Sequence, residues 1–279
     1  MKLVIIDGFS ILFRNFFALK NFYNVDGLPV GGIVGFIKTI TKLINKLEPT
    51  HMIIALDSGQ KTWRHKLYPS YKSNRQSTPE DLIPQFDLLF ELIECINITS
   101  VKGSECEADD WIASLTTQTI DICQTIYIIS CDKDLMQLVT RKNVFMMDPF
   151  KLFLMQSEDI VNKVGVDPVQ IPDLFGLVGD SSDCIPGVPT IGIKTAAKWV
   201  SDFGTLENIL QNASKLLPSA RRLQFIKYYD QALLSRNLVR LVHDLQIPSI
   251  NNLIYSEHNN GLTKFINKYK LNNHFRSYI

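Results

Sequence analysis

Four short, almost uninterrupted apolar runs punctuate the first half of the chain, at residues 2–7, 51–57, 97–101 and 125–131. They are rich in Ile and Val and lack the polar alternation of a strand with one wet face. They therefore read as strands buried on both faces. Between them the period changes: over 35–47, Phe36, Ile37, Ile40, Leu43, Ile44 and Leu47 recur at helical spacing. Thr78-Pro79-Glu80-Asp81 supplies an N-cap, a proline first position and an acidic first turn for a helix to about Cys95. Its apolar stripe is Leu82, Phe86, Leu89 and Ile93. Strands alternating with helices predict an α/β fold, a mainly parallel central sheet flanked by helices. After about residue 155 helical patterns dominate, over 171–178, 194–203, 206–211 and 220–242. Two parts are predicted: an α/β domain over 1–165 and a helical subdomain over 166–279, joined around Gly165-Val166-Asp167-Pro168.

Parallel sheets place ligands beyond the carboxyl ends of their strands, and acidic residues fall there. Asp7 closes the first run, Asp57 the second, and Asp132 follows the fourth. Glu107, Asp109 and Asp110 lie in Glu-Ala-Asp-Asp, Asp132 and Asp134 in Cys-Asp-Lys-Asp, and Asp180 and Asp183 in Gly-Asp-Ser-Ser-Asp. Glu107 and Asp110 would share a face if a helix starts there. Asp132 and Asp134 would point to one side of an extended strand end. Any one of these is equally well a cap or turn residue. Together they predict one acidic pocket, and crowded carboxylates stay ionised only beside a cation. Oxygen ligands suit hard divalent ions, Mg2+ or Mn2+ alike. A pair of such ions ~4 Å apart is the standard device for in-line attack on a phosphodiester.

The net charge of +1 conceals this partition. With the nine carboxylates set aside the remainder is strongly basic, which suits a polyanionic substrate. Basic residues concentrate between Gln60 and Pro79, where Lys61, Arg64, Lys66, Lys72 and Arg75 interleave with Trp63, His65, Tyr68 and Tyr71 and no acidic residue intervenes. That mixture fits phosphate contact and base stacking. At 187–196, Gly187 and Gly192 precede Lys194 and Thr195 in a string resembling a helix–hairpin–helix turn, whose helix N-terminus favours anions. A P-loop is excluded, because Ile193 stands where its second glycine belongs and no buried strand precedes it. No apolar run approaches the roughly 18 residues of a membrane span, and the N-terminus reads as a strand rather than a signal peptide. Five cysteines without a CxxC pair predict reduced thiols in the cytoplasm.

In order along the chain stand Ile-Asp-Gly (6–8), Ala-Leu-Asp (55–57), Tyr-Lys-Ser-Asn-Arg (71–75), Glu-Ala-Asp-Asp (107–110), Asp-Lys-Asp (132–134) and Gly-Asp-Ser-Ser-Asp-Cys-Ile-Pro-Gly-Val-Pro (179–189). Leu234-Ser235-Arg236-Asn237-Leu238 follows. This ordered set resembles the 5′-nuclease (flap endonuclease) family, most of all the N-terminal 5′–3′ exonuclease domains of bacterial DNA polymerases I. The resemblance implies a PIN-like α/β fold with a helical arch at about 60–80 and a helix–three-turn–helix at about 179–200. It implies a monomeric, metal-dependent nuclease acting at 5′ ends or 5′ flaps of DNA, including nicked duplex and RNA primers on DNA, in replication and repair.

By the same resemblance Asp7, Asp57, Glu107 and Asp109 are ligands of a first metal. Asp132, Asp134, Asp180 and Asp183 are ligands of a second, with Asp110 in support. Arg64, Lys72 and Arg75 become arch cations at the scissile phosphate, Tyr71 a stacking platform, and Lys61 and Lys66 further contacts to the strand. Gly187, Gly192, Lys194 and Thr195 grip duplex DNA, with K+ on backbone carbonyls of that turn. Three positions depart from the family pattern. Cys184 stands where Asn is usual, Trp111 where a smaller aliphatic is common, and Cys131 precedes Asp132.

Three other readings compete. A catalytically dead DNA-binding paralogue would have lost carboxylates, and all nine are present. A PIN-type ribonuclease would lack the arch and the helix–three-turn–helix. A phosphatase-like hydrolase would need a second Asp two residues after Asp7, where Phe9 stands.

Overall fold

In the computed structural model, which describes residues 1–103, 105–256 and 259–275, Leu3, Ile5 and Ile6 on the central strand have no exposed surface. That strand, β1 (Lys2–Asp7), leads into α1 (Gly8–Ala18) and α2 (Gly31–Leu47). Then come β2 (His51–Leu56), α3 (Trp63–Leu67), α4 (Ile83–Cys95), β3 (Thr99–Lys102), α5 (Ala108–Thr119) and β4 (Thr125–Ile129). Two further strands complete the sheet, β5 (Val144–Asp148) and β6 (Phe153–Met155). The spatial order is β3-β2-β1-β4-β5-β6, parallel throughout except for the antiparallel edge strand β6.

From β1 the chain crosses to β2 on one side and later returns to β4 on the other. The order thus reverses at β1 and opens a crevice at its carboxyl end. The four predicted strands are found: β2 ends one residue early and β4 two, while β3 starts two later and ends one later, and as an edge strand it exposes Ser100 and Lys102 rather than burying both faces. β5 and β6 were missed, since Met-Met pairs and a three-residue edge carry little β signal. The predicted start at Thr78 also shifts, with a 3-10 turn at Glu80–Leu82 ahead of α4.

The second half continues with α6 (Ser157–Val164), α7 (Ile171–Val178), α8 (Ile193–Phe203) and α9 (Leu206–Gln211). It ends with α10 (Ser219–Lys227), α11 (Tyr229–Val239) and α12 (Asn259–Lys268). The single helix expected over 220–242 is broken at Tyr228 and stops at Val239, after which Arg240 is extended. One face of the sheet, with Leu3, Ile5, Ile126 and Ile128, shares a continuous core with α5 and with Leu174, Leu177, Trp199 and Phe225 of the helical half. The other face packs against α1, α2 and α4.

The last stretch of chain also makes contacts with the α/β half. Val242 N–H reaches Asp110, Tyr255 N–H reaches the Thr50 carbonyl, and Phe265, Ile266 and Leu271 pack into the core of the α1/α2/α4 face. Lys268 pairs with Glu91 and Lys270 with Asp26. Parts of the described carboxyl-terminal segment thus pack on the α/β half, while Leu241 and Leu253 share the core that joins both halves. No helix among the described residues is long and apolar enough to cross a membrane, and all five cysteines are free.

Candidate metal centre and nucleic-acid interface

The carboxylates are oriented by capping. A side chain that accepts from the first amides of a turn has its carboxylate fixed by the backbone. Asp7 caps α1 by accepting from Ser10 N–H at 3.3 Å. Asp132 caps the 3-10 turn Lys133–Leu138 by accepting from Asp134 N–H at 2.9 Å. Asp180 caps the turn Ser181–Asp183 by accepting from Ser182 N–H at 3.0 Å. Asp57 accepts from Ala108 N–H at 2.8 Å, which ties the end of β2 to the start of α5. Cap and pocket member are thus one role. The expected strand-end geometry of Asp132 and Asp134 is replaced by this turn, because β4 ends at Ile129.

One oxygen from each of Asp134, Asp180 and Asp183 lies within 4.8 Å of the other two, and all three residues are buried. One Asp134 oxygen is buried without any hydrogen-bond partner. Such an atom costs free energy unless a cation or water completes it. The remaining acids stand close enough to disturb one another. Burial, then the Ser130 hydrogen bond in opposition and the charges of Asp57 and Asp132, leave the Asp7 carboxyl at about 7. Burial first, then the charges of Asp132 and Asp7, raise Asp109 well above the usual range. Asp134 is raised by burial and then by Asp132 and Asp180. Burial also raises Asp132, with Asp183 and Asp180 adding to it. Opposite charge placed among them would reverse these shifts, and the donor set, all oxygen, fits a hard divalent ion.

Ser130, at the end of β4, joins two of these groups. Its hydroxyl donates to Asp7 at 2.7 Å and accepts from Asp132 N–H at 3.0 Å. Nothing in the sequence distinguishes this serine from an ordinary turn residue.

Asp110 departs from the expected set. With Glu107 it forms a reciprocal capping box at the start of α5, accepting from Glu107 N–H at 3.2 Å. Both its oxygens accept from Arg64, at 2.8 Å each, and Val242 N–H adds a 3.0 Å bond. Burial alone would raise this carboxyl, but the Arg64 hydrogen bonds and charge outweigh it and hold it below the usual range. Asp110 is therefore satisfied by the protein itself.

Arg64 correspondingly is not an exposed phosphate contact. It is 2% exposed and also donates to the carbonyls of Leu238 and Arg240. Tyr71 differs too: it is 4% exposed, its hydroxyl donates to Glu107 at 3.0 Å, and its ring meets His65 edge-on, so no face is free for stacking.

Past Tyr71 the chain folds over the pocket. Lys72 Nζ lies 3.1 Å from Glu107 and 3.8 Å from Asp183, and Arg75 lies 3.0 Å from Asp183. Burial would lower Lys72, but Glu107 and Asp183 more than compensate and raise it. Backbone bonds reinforce the contact: Lys72 N–H donates to the Asp183 carbonyl and Asn74 to that of Ser181. The arch expected over 60–80 contains one helix, α3, and otherwise turns and extended chain. Lys72, Asn74 and Arg75 tie it to the 181–184 turn. Lys61 is exposed, and Lys66 pairs with exposed Glu105 at 2.8 Å.

Beside Asp57, Glu107, Lys72 and Arg75 opens a cavity of about 460 Å³. Phe9, Phe13, Phe86 and Phe90 form its apolar wall, with Phe9 edge-on to Phe86 and centroids 5.1 Å apart. Lys102 lies over Phe90. Sequence reasoning used Phe86 only as a core residue and overlooked Phe9 and Phe13, although two phenylalanines closely following Asp7 were a usable signal.

The 179–192 connection joins α7 to α8. Gly179 has φ +72° with the Gly187 amide against its α-carbon, so no side chain fits there. Gly192 caps α8 without a side-chain bond, Lys194 is exposed, and Thr195 accepts from Arg221 at 2.9 Å. The Gly187 carbonyl accepts from Gln231 at 2.7 Å. Cys184 has φ +56°. Asn tolerates that left-handed conformation better than Cys, which gives the family's usual Asn its physical reason. The Trp111 indole lies over Gly103, where a β-carbon would come within 2.9 Å of its nitrogen, and that nitrogen is buried without a hydrogen-bond partner.

Comparison with known proteins agrees with this arrangement. Residues 2–165 match the family described as 5′-3′ exonuclease, N-terminal resolvase-like domain, and residues 166–260 match 5′-3′ exonuclease, C-terminal SAM fold. A 5′-3′ exonuclease of Buchnera aphidicola is 38% identical over 251 residues, covering 88% of this chain and 87% of its own. DNA polymerase I of Bacillus caldotenax is 37% identical over 263 residues, 91% of this chain and 29% of the polymerase. The chain thus spans about three-tenths of the polymerase relatives it matches. Among solved structures, phage T5 5′-exonuclease with bound zinc superposes with a TM-score of 0.76 at 21% identity, covering 97% of this chain and 99% of that one. The catalytic core of Rad2 with DNA superposes with a TM-score of 0.64 at 16% identity, covering all of this chain and 91% of that one. Resolvase-like sheet, SAM-like helical half and the two sequence matches together make this chain a member of the 5′–3′ exonuclease family.

Proposed function

We propose that this chain is a divalent-metal-dependent, structure-specific 5′ nuclease. Its substrates are 5′ ends and 5′ flaps of DNA, including nicked duplex and RNA primers on DNA, as primer removal and repair require. The observation that carries this reading is the unpartnered buried oxygen of Asp134 within a cluster with Asp180 and Asp183, overhung by Lys72 and Arg75. Asp134, Asp180, Asp183 and Asp132 would hold one ion, and Asp7, Asp57, Glu107 and Asp109 another. Two bound Mg2+ or Mn2+ ions supply an activated water and stabilise charge on the phosphate and the leaving oxygen.

The chain's own residues do the rest. Capping fixes the carboxylates, Tyr71 orients Glu107, and Ser130 couples Asp7 to Asp132. Lys72 and Arg75, which lie against Glu107 and Asp183, would stand within reach of a scissile phosphate and neutralise its charge. The phenylalanine-walled cavity receives an unpaired base of the 5′ strand, and its cations receive the adjoining phosphates. Lys194, Thr195 and the start of α8 hold the duplex. K+ on the carbonyls of the 187–192 turn belongs to the same reading, with Gly187 shared with Gln231. The protein acts as a monomer in the cytoplasm.

The test is cleavage of 5′-labelled flap, nicked duplex and single-stranded DNA with and without Mg2+. Mg2+-dependent cuts near the 5′ end, lost in Asp183→Ala with flap binding retained, are expected. Undiminished cleavage by Asp183→Ala would overturn the metal assignment.

A further inference from the structure

Lys133 sits between two carboxylates of the cluster yet turns toward a third. Asp132 caps the turn that begins at Lys133, and Asp134 buries its side chain. The lysine reaches across to the other half of the chain. Its Nζ lies 3.0 Å from Asp180 Oδ1 and 4.8 Å from the centroid of the Phe175 ring. Phe175 belongs to α7, and Asp180 follows that helix's glycine cap, so the aromatic face and the carboxylate receive the ammonium together. The same Asp180 oxygen accepts from Ser182 N–H at 3.0 Å and from the Ser182 hydroxyl at 2.5 Å. Three donors thus converge on Oδ1 of an aspartate that belongs to the cluster with Asp134 and Asp183.

We infer that Lys133 is a tethered counter-ion that sets the divalent-metal affinity of the Asp134/Asp180/Asp183 cluster. The inference rests on the proposed metal reading of that cluster. In the metal-free chain the ammonium offsets part of the charge of three buried aspartates. When a divalent ion arrives, two cations share one carboxylate, and each weakens the other's hold. Such a coupling is reciprocal: what the lysine costs the metal, the metal costs the lysine. Lys72 and Arg75 also touch Asp183, but they lie on the loop over the pocket. Lys133 lies within the 3-10 turn that carries Asp134 and is held by an aromatic face besides.

A purely bracing lysine would behave in the opposite way. Losing a brace loosens Asp180 and weakens metal binding, whereas losing a competing charge strengthens it. Two Ser182 donors remain to orient Asp180, and a unit charge so near a divalent ion is the larger influence even with solvent screening. Removal of Lys133 therefore increases affinity by about tenfold.

The experiment titrates Mn2+ into the metal-free full chain by calorimetry, comparing wild type, Lys133→Met and Lys133→Arg, with thermal unfolding in EDTA alongside. The expected result has three parts. Lys133→Met binds Mn2+ about tenfold more tightly at one site and melts lower in EDTA. Lys133→Arg, which keeps the charge, returns to wild-type affinity. The gap between wild type and Lys133→Met narrows in high salt. Unchanged or weaker Mn2+ binding by a folded Lys133→Met overturns the counter-ion role while leaving the metal reading intact. Absence of Mn2+ binding by wild type overturns both.

Discussion

At Arg64 a guanidinium meets Asp110 through two 2.8 Å hydrogen bonds, with both side chains sealed from water, two main-chain carbonyls accepting further donors and Glu107 3.3 Å from Nη1. Eleven residues later, Arg75 meets Asp183 through a single 3.0 Å contact, with more than half of its side chain exposed. Lys72 lies between these extremes, buried but shared between Glu107 and Asp183. One loop thus carries cation–carboxylate pairs of two kinds. The first has no valence left over, and it anchors the loop to α5 and to the returning 238–242 segment. The second joins a cation shared between two carboxylates, and another that is more than half exposed, to acids beside the Asp134 cluster, so a metal and a phosphate can exchange with it. Burial and completeness of hydrogen bonding, rather than residue type, separate the structural arginine from the available cations.

Arg64→Met should give the largest departure between the two ends. Leaving Asp110 buried and unpaired costs roughly 3–5 kcal/mol, read as a fall in the denaturation midpoint. If stability barely changed, the locked end would be no more structural than the other. Lys72→Ala should reverse the pattern, with turnover on a 5′ flap falling about 10²–10³-fold while the melting temperature in Mg2+ stays close to wild type. Loss of affinity alone, with turnover preserved, would make Lys72 a backbone contact.

The third expectation concerns pH. Burial, with smaller contributions from Asp57 and Asp132, holds the Asp7 carboxyl at about 7, above its unfolded value of 3.8. Below about pH 4 both states are protonated and nothing is lost. Between there and 7 the unfolded chain ionises first, so the metal-free protein loses stability, fully so above 7. Melting temperatures in EDTA should fall from pH 5 to 8, and the increment from saturating Mg2+ should grow over the same range. An Mg2+ increment independent of pH would contradict it. Tyr71→Phe is the mildest case. It deletes one hydrogen bond to Glu107, which costs about 1 kcal/mol and reduces turnover only a few-fold. A loss of flap affinity without that change would restore the stacking role.

Much of this was legible in the residues. Ile and Val runs ending in aspartate mark parallel strands with a site at their carboxyl ends, and the glycines around 179 and 187 mark a tight connection. What escaped was whatever depends on distant partners. Arg64 and Lys72 look alike in a basic segment, and it takes the Asp110 pairing and the return of Leu238 and Arg240 to the Arg64 guanidinium to distinguish them. Asp110 reads as one acid among nine until its oxygens are counted against their donors. The docking of 240–256 leaves little periodic trace, because its contacts are single hydrogen bonds and a few apolar side chains. β6 owes its place to pairing with β5 rather than to its own three residues.

The most direct test counts ions rather than products. Mn2+ titrated into metal-free Asp134→Ala should occupy one site fewer than in wild type, and flap cleavage should vanish with that site. Wild-type stoichiometry together with undiminished cleavage would contradict the assignment of this cluster as the metal centre.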